Sequence, residues 1–324
     1  MSKRRPSSRI LMTAVLTILV LIVIASLPLL FASMGSDLSG RSESVRYNIA
    51  TGEPVADPFA RPDGSDPARI TILIESMSEN TRQIRLVVMG RRFCTDSCDP
   101  MTINLYALPA ENDPLSLPST VSIDLPTNSQ PFDTEEYLPV VGRPQSFPVD
   151  KYVLRLGVAV VSTNKDGVVM PLTREQLDER GVIIMTEEIM PRFVVKERIP
   201  NDELSVRDDL ISLGISMQVT LSFQHPAYLR IEAFLLVLLI GITGIVTVLR
   251  QDMDDLLFGI GSLILSMWGI RAILVQTDYD GVTIVDVVLV LFAILILLGC
   301  LIRLTLHVHA QDRRDPDAEP ADPS

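Results

Sequence analysis

Residues 214–249, GISMQVTLSFQHPAYLRIEAFLLVLLIGITGIVTVL, carry two different periods in one run. Over 214–224, apolar Ile215, Met217, Val219, Leu221 and Phe223 alternate with polar Ser216, Gln218, Thr220, Ser222 and Gln224. That is the period-2 pattern of a strand with one dry face. Beyond His225-Pro226 the alternation ends, and from Ala233 every residue is apolar or small until Arg250. A run of that length and hydropathy reads as a membrane helix, which Tyr228 and Leu229 extend. One short link thus joins a strand to a membrane span. The chain before it is expected to be extracytoplasmic and β-rich, and the chain after it a helical bundle.

Three other apolar runs, 10–32, 256–275 and 284–302, meet the same length rule. At 1.5 Å per residue the four spans cover about 25–35 Å each. Lys3, Arg4, Arg5 and Arg9 precede the first span, Arg250 follows the second, and Arg303, Arg313 and Arg314 follow the fourth. If four spans are crossed in order, all three groups lie on one side, and the positive-inside rule makes that side the cytoplasm. The expected layout is a cytoplasmic tail (1–9), an anchor (10–32), a Pro/Gly/Ser-rich tether (33–69), an extracytoplasmic β domain (70–226), a three-helix transmembrane bundle (227–306) and a disordered cytoplasmic tail (307–324). The layout expected is that of a multi-pass plasma-membrane protein with both termini inside and residues 33–227 outside. The first span is too long for the apolar core of a typical signal peptide, and Ala32-Ser33-Met34 is a poor cleavage site, so it is read as uncleaved.

The formal charge of −12 is concentrated outside: residues 33–227 hold 28 acidic against 18 basic residues, a balance of −10. No basic stripe interrupts them, which argues against nucleic acid and anionic head groups as partners of that surface.

The β signal begins at Ile70, Ile72 and Ile74 and returns, after a turn at Glu79-Asn80, at Ile84, Leu86 and Val88, the pattern of a hairpin. Short strands are expected at 102–108 and 120–125. Pro-rich connections are expected between them and over 126–149, the latter carrying Asp133, Glu135 and Glu136. Residues 152–161 are apolar on both faces and read as the interior strand. Thr173-Arg174-Glu175-Gln176 is a capping-box pattern, so one or two helical turns should follow before Gly181. Strands at 182–186 and 193–199 bring the count to about eight, the signature of an all-β antiparallel sandwich-like domain. Arg46-Tyr47-Asn48-Ile49, within the tether, could form a short docked strand.

Candidate chemistry is sparse. Cys94 and Cys98, with three residues between them in an oxidising compartment, point first to a local disulfide. A redox pair or a metal site with Asp96 and Asp99 is a poorer fit to the spacing. His225, the one extracytoplasmic histidine, reads as a polar residue ending a strand, and no nucleophile elbow lies near it. Glu187-Glu188 and Asp208-Asp209 read as solvated surface, since adjacent strand residues point to opposite faces. Arg271 and Asp286 flank the turn between the third and fourth spans and are candidates for an ion pair within the membrane. Asp278, Asp280 and Gly281 resemble only half a calcium loop. Gly259, Ser262, Ser266 and Gly269 form a small-residue stripe suited to helix packing, either within the chain or against another subunit, and Gly241 and Gly244 offer a similar surface. His307 and His309 read as polar residues just past the last span. These readings assign no catalytic residue, no metal and no cofactor.

At Phe147-Pro148-Val149-Asp150-Lys151-Tyr152 and again near the C-terminal spans, the chain resembles a family of bacterial membrane proteins of unknown function, number 4436 among the domains of unknown function. The resemblance implies an anchor, a β-rich extracytoplasmic domain and a closing bundle of three helices. The features it would place here are the strand at 214–224, Arg271, Gly281 and Asp286. The family's Pro-rich outer turn is replaced by Gln276-Thr277-Asp278-Tyr279-Asp280, and its aromatic residues after the Asp by Val and Leu. The Phe-Pro-x-Asp run is also similar to one in pentameric ligand-gated channels, but those lack an N-terminal anchor and carry four helices after the sandwich.

The expected function is non-enzymatic: a binding, sensor or accessory scaffold protein of the cell envelope, embedded in the lipid bilayer. Its partner would be a membrane protein, an envelope component or a second copy of the chain. The competing expectation is an oligomeric transporter or channel-like protein that uses Arg271 and Asp286.

Overall fold

The structure is a computed structural model that describes residues 45–94, 97–109, 117–163, 168–200, 213–249, 253–275 and 281–312, with four isolated positions nearer the N-terminus. The expectations for the N-terminal tail, the first span, the start of the tether (33–44), Asp96, Asp208-Asp209, Asp278, Asp280 and residues 313–324 lie outside the described residues. The chain divides into a β unit within Met34–Ala227 and a unit holding the C-terminal helices.

The strands of the β unit are β1 (Tyr47–Asn48), β2 (Ala68–Ser78), β3 (Gln83–Arg92), β4 (Met101–Ala107), β5 (Ser119–Leu125), β6 (Pro131–Pro139), β7 (Val141–Gly142), β8 (Lys151–Thr163), β9 (Val169–Pro171), β10 (Val182–Glu188), β11 (Val194–Pro200) and β12 (Met217–Gln224). A short helix, α1 (Arg174–Arg180), precedes β10. One sheet runs β1-β10-β2-β3-β6, and the other β11-β12-β8-β4-β5 with β7 and β9 also on β8.

Alternation in the sequence becomes two facing layers. Ile70, Ile72 and Ile74 of β2 and Ile84, Leu86 and Val88 of β3 are fully buried, as are Leu156, Val158 and Val160 of β8 and Leu221 and Phe223 of β12. All belong to a single core shared by both sheets. Each such side chain contributes about 1.5–3 kcal/mol of burial free energy. The other face of β8 is covered too, because Ala159 packs with Tyr106, Leu108 and Ile215 in a second, smaller cluster. That explains a strand apolar on both faces.

Three expectations are corrected. The segment 126–149 is not only a connection: β6 pairs with β3 along its length, with Glu135 opposite Val87 and Tyr137 opposite Arg85. Its proline ends and alternating acids suit an edge strand, whose free side faces water. Second, the sheets are not wholly antiparallel, since β10 lies parallel to β2, Val182 beside Ala68 through Glu188 beside Ile74. Third, Glu187 and Glu188 are not solvated. Glu187 is buried and accepts from Arg46 at 2.7 Å, and Glu188 accepts from Arg198, because β1 and β11 bring arginines alongside them. The docked strand is present as β1, antiparallel to β10 through Tyr47 and Thr186, so the tether ends earlier than 69.

The parallel register is set by a helix cap. Thr173 Oγ1 accepts from the Gln176 amide at the start of α1, and the Thr173 amide donates to Gln176 Oε1, completing the capping box. Gly181 ends the helix at φ 75°, in the left-handed region. Around it, the Asp66 amide donates to Arg180 O and the Ala68 amide to Gly181 O, which feeds the chain into β2 beside β10.

In the helical unit, α2 (Ala227–Leu249), α3 (Met253–Leu274) and α4 (Ile284–Asp312) follow. Among the described residues two helical segments, Ala227–Val248 and Ile284–Leu306, are long and apolar enough to cross a membrane, and α3 adds a shorter apolar stretch, Gly259–Leu274. The expectation of disorder from 307 is corrected through Asp312, where α4 continues as helix. Gly241 and Gly244 of α2 let Phe292 and Ile296 of α4 approach, since a Cβ on either would fall within 2.8 Å of them. Arg303 of α4 donates to Val248 O at 2.6 Å, satisfying a carbonyl at the end of α2 that has no partner in its own helix.

A Cβ at Gly181 would lie 2.2 Å from Asp63 O and would occupy a backbone conformation that L-residues avoid. Gly181→Ala is expected to lower stability by more than about 1 kcal/mol, read as a shift in the denaturant midpoint of the full chain in detergent.

Candidate functional site

Three titratable side chains meet at one end of the β unit. Glu79 sits in the turn after β2, Asp150 immediately before β8, and His225 immediately after β12. The antiparallel register of β8 and β12 sets Lys151 opposite Gln224, so the residues just beyond them are neighbours. His225 Nε2 lies 3.3 Å from Asp150 Oδ1 and 3.6 Å from Glu79 Oε1. The side chains of His225 and Asp150 are 0% exposed and that of Glu79 is 2% exposed.

Aromatic rings and one backbone carbonyl hold the imidazole. Phe193 stacks on it at 4.5 Å between centroids, and Phe147 meets it edge-on at 5.0 Å. Its Nδ1 lies 3.0 Å from Arg192 O. A carbonyl oxygen only accepts, so Nδ1 is the donor and, in the neutral ring, Nε2 carries the lone pair. Burial pushes the Glu79 carboxyl above its usual range and the Asp150 charge adds to this, while His225 and Arg192 oppose it. The arrangement can take up a cation or share protons. Reaching the ring from water would require displacing Phe147 or Phe193, which argues against an open catalytic centre.

The sequence alone did not single out this cluster. Glu79 reads as a turn residue and His225 as the end of a strand, and Asp150 stands out only within the Phe-Pro-x-Asp run. The structure gives that run a physical role, with Phe147 against the imidazole and Asp150 beside its Nε2. Recognising the cluster needs the pairing of β8 with β12 and the place of the β2–β3 turn, neither of which is local.

The residues singled out by sequence fall elsewhere. Cys94 and Cys98 are joined as a disulfide, so their proximity to Asp66 is no thiolate site. Asp66 instead pairs with the fully buried Arg92, which also donates to Asp99 O at 2.6 Å. Arg271 Nε donates to Asp286 Oδ1 at 2.7 Å. Asp286 has a second role: its Oδ2 accepts from the amide and hydroxyl of Thr283, while its own amide donates to Thr283 Oγ1. Thr283-Ile284-Val285-Asp286 is thus a capping box for α4 that also grips Arg271. Of the small-residue stripe, Gly259 meets Thr247 of α2, while Ser262, Ser266 and Gly269 are exposed. Both serine hydroxyls bond carbonyls of their own helix. His307 and His309 lie within α4. A groove of about 410 Å³ between α1 and the chain entering β12 is lined by Pro171, Arg174, Glu175 and Met217. It lies at the start of β12, roughly 25 Å from His225 by strand rise.

No protein-family model matches the chain, and no curated protein matches it.

Two predictions follow from these geometries. The folded chain holds the Glu79 proton more tightly than the unfolded chain, so that contribution is complete below the ordinary glutamate range and is lost as pH rises through the raised folded value. Glu79→Gln should therefore melt higher than the native chain at pH 8 and show no such advantage at pH 4, in thermal melts run with a divalent-ion chelator. In the helical unit, Arg271→Ala and Asp286→Asn each remove the ion pair, while Asp286→Ala also removes the cap. The last should cost a further 1 kcal/mol or so in a detergent unfolding titration, and the exchanged pair Arg271→Asp/Asp286→Arg should recover part of the ion-pair loss.

Proposed function

We propose that this chain is a non-enzymatic, multi-pass plasma-membrane protein whose outer β-sandwich binds a partner or envelope component and whose helices anchor it. The observation that carries the membrane part is the surface of α4. Val287, Val290, Leu291, Ile294, Leu295, Leu298, Leu301 and Ile302 are all exposed on it, an apolar surface that water would not tolerate but lipid would. Supporting a sandwich, the two sheets share one core. The four-span, arginine-inside arrangement rests on the apolar run 10–32 and on the positions of the arginines. The resemblance to the family numbered 4436 among domains of unknown function rests on the run 147–152, Arg271 and Asp286.

The sensor or accessory version is favoured over transport by how Asp286 is used. A carboxylate that caps its own helix while bonding Arg271 already has its bonding capacity taken up, and moving it would unmake a helix start. The exposed serine and glycine stripe of α3 is the surface on which a neighbouring membrane helix would pack.

In-cell crosslinking of the full-length protein, followed by mass spectrometry, tests the reading. A specific second protein, linked through the sandwich or the α3 stripe, is expected. Self-links alone at fixed stoichiometry, together with ion flux in reconstituted vesicles that neutralising Arg271 and Asp286 abolishes, would replace the accessory reading with transport.

A further inference from the structure

We propose that Glu79, Asp150 and His225 form a closed binding site for one divalent first-row transition ion, with zinc as the best geometric match. The proposal rests on four atoms. Glu79 Oε1, Asp150 Oδ1, Asp150 Oδ2 and His225 Nε2 are all buried, and none makes a hydrogen bond. Buried polar atoms almost always find partners, and these orphans, with one atom from each of the three residues within 4.8 Å of the other two, need a common one.

The spacing fits a metal better than it fits protein-to-protein bonding. Metal–ligand bonds of about 2.0–2.2 Å at tetrahedral angles place neighbouring donor atoms about 3.3–3.6 Å apart. The two imidazole-to-carboxylate separations are 3.3 and 3.6 Å. One oxygen from each carboxylate and His225 Nε2 supply three donors within 4.8 Å of one another, and the second oxygen of Asp150 can close the shell as the other arm of a bidentate carboxylate, at a narrower bite than a tetrahedral pair and without a water molecule, in keeping with side chains 0–2% exposed. The imidazole is oriented as a ligand would be, its Nδ1 donating to Arg192 O while Nε2 points at the carboxylates.

Charge and donor chemistry narrow the occupant. Two buried carboxylates are costly to ionise together, and a doubly charged ion neutralises both. One nitrogen and three oxygens exclude soft, thiolate-seeking ions. The imidazole favours zinc and its first-row neighbours over magnesium or calcium, which prefer all-oxygen shells. An ion here would tie the β2–β3 turn to the adjoining ends of β8 and β12, and so join one sheet to the other. His225 is also separated from the first residue of α2 by Pro226 alone. Because the site is closed, the ion would act on folding and rigidity and not on a substrate.

The test uses the full-length chain in detergent, with a tag that contains no histidine and with His307→Ala and His309→Ala, so that His225 is the one histidine left of three. The protein is stripped with EDTA, dialysed and titrated with Zn²⁺. One zinc per chain by plasma mass spectrometry is expected, with an X-ray absorption first shell of nitrogen and oxygen that includes a single imidazole. Zn²⁺ should raise the melting temperature and EDTA should reverse the rise. Asp150→Asn and Glu79→Gln should each weaken zinc binding at least about tenfold. If either variant fails to fold, stoichiometry and the imidazole signature of the parent chain decide alone. Absence of stoichiometric zinc, a first shell without imidazole (an adventitious surface ion), or unchanged affinity in folded variants would overturn the proposal. A melting temperature that follows pH and ignores zinc would make the cluster a proton site.

Discussion

β8 is a thirteen-residue strand paired along both of its edges, and the arrangement of the β unit follows from that constraint. β12 lies along residues 151–158 and β4 along 156–162, so the two must occupy opposite edges where they overlap. By the same reasoning β7, at Val153 and Tyr152, extends the β4 edge, and β9, at 161–163, extends the β12 edge. A strand so enclosed leaves little backbone for water, and part of its second face is covered as well. Tyr152, Leu154, Leu156, Val158 and Val160 face the shared core, while Ala159 faces the smaller cluster with Ile215. On that side a Cβ at Gly157 would lie 3.1 Å from Ile215 Cδ1, closer than ordinary van der Waals contact.

The ends of that strand also decide where charge is buried. At one end Asp150 meets Glu79 and His225, with four donor atoms left without hydrogen bonds. Arg92 offers the contrast. It too is fully buried, but its two terminal nitrogens reach Asp66 and the carbonyls of Asp99 and Pro126, pinning three loops around one cation. A guanidinium with several donors can satisfy itself from carbonyls nearby, whereas two carboxylates and an imidazole nitrogen are mutual acceptors and need something positive between them. The same fold thus holds a buried polar cluster whose terminal guanidinium nitrogens are bonded, with Arg92 Nε and Asp66 Oδ1 left over, and another that is short of hydrogen-bond donors.

In the helical unit the small residues divide their work. Glycines of α2 are spent inside, where Phe292 and Ile296 press against Gly241 and Gly244, and Gly299 of α4 meets Val248. The serines of α3 bond their own helix and leave its small-residue face outward. Each serine hydroxyl finds its partner close by, in a carbonyl of the preceding turn. Asp286 follows the same rule, finding its donors in Thr283 and Arg271.

Much of this was legible from local pattern. Alternation located the hairpin of β2 and β3, both faces of β8, and β12, because a side chain's face in a strand is fixed by parity alone. Capping chemistry located α1 and its Gly181 stop, because those bonds close within four residues. The edge strand β6 was hidden by its prolines and acids, which are also the marks of a loop. The parallel pairing of β10 with β2, the arginines beside Glu187 and Glu188, and the meeting of Glu79, Asp150 and His225 were decided only by tertiary structure. Residues 71 and 75 positions apart become neighbours only when particular strands pair in a particular register. Nothing in a local window specifies which strands those will be.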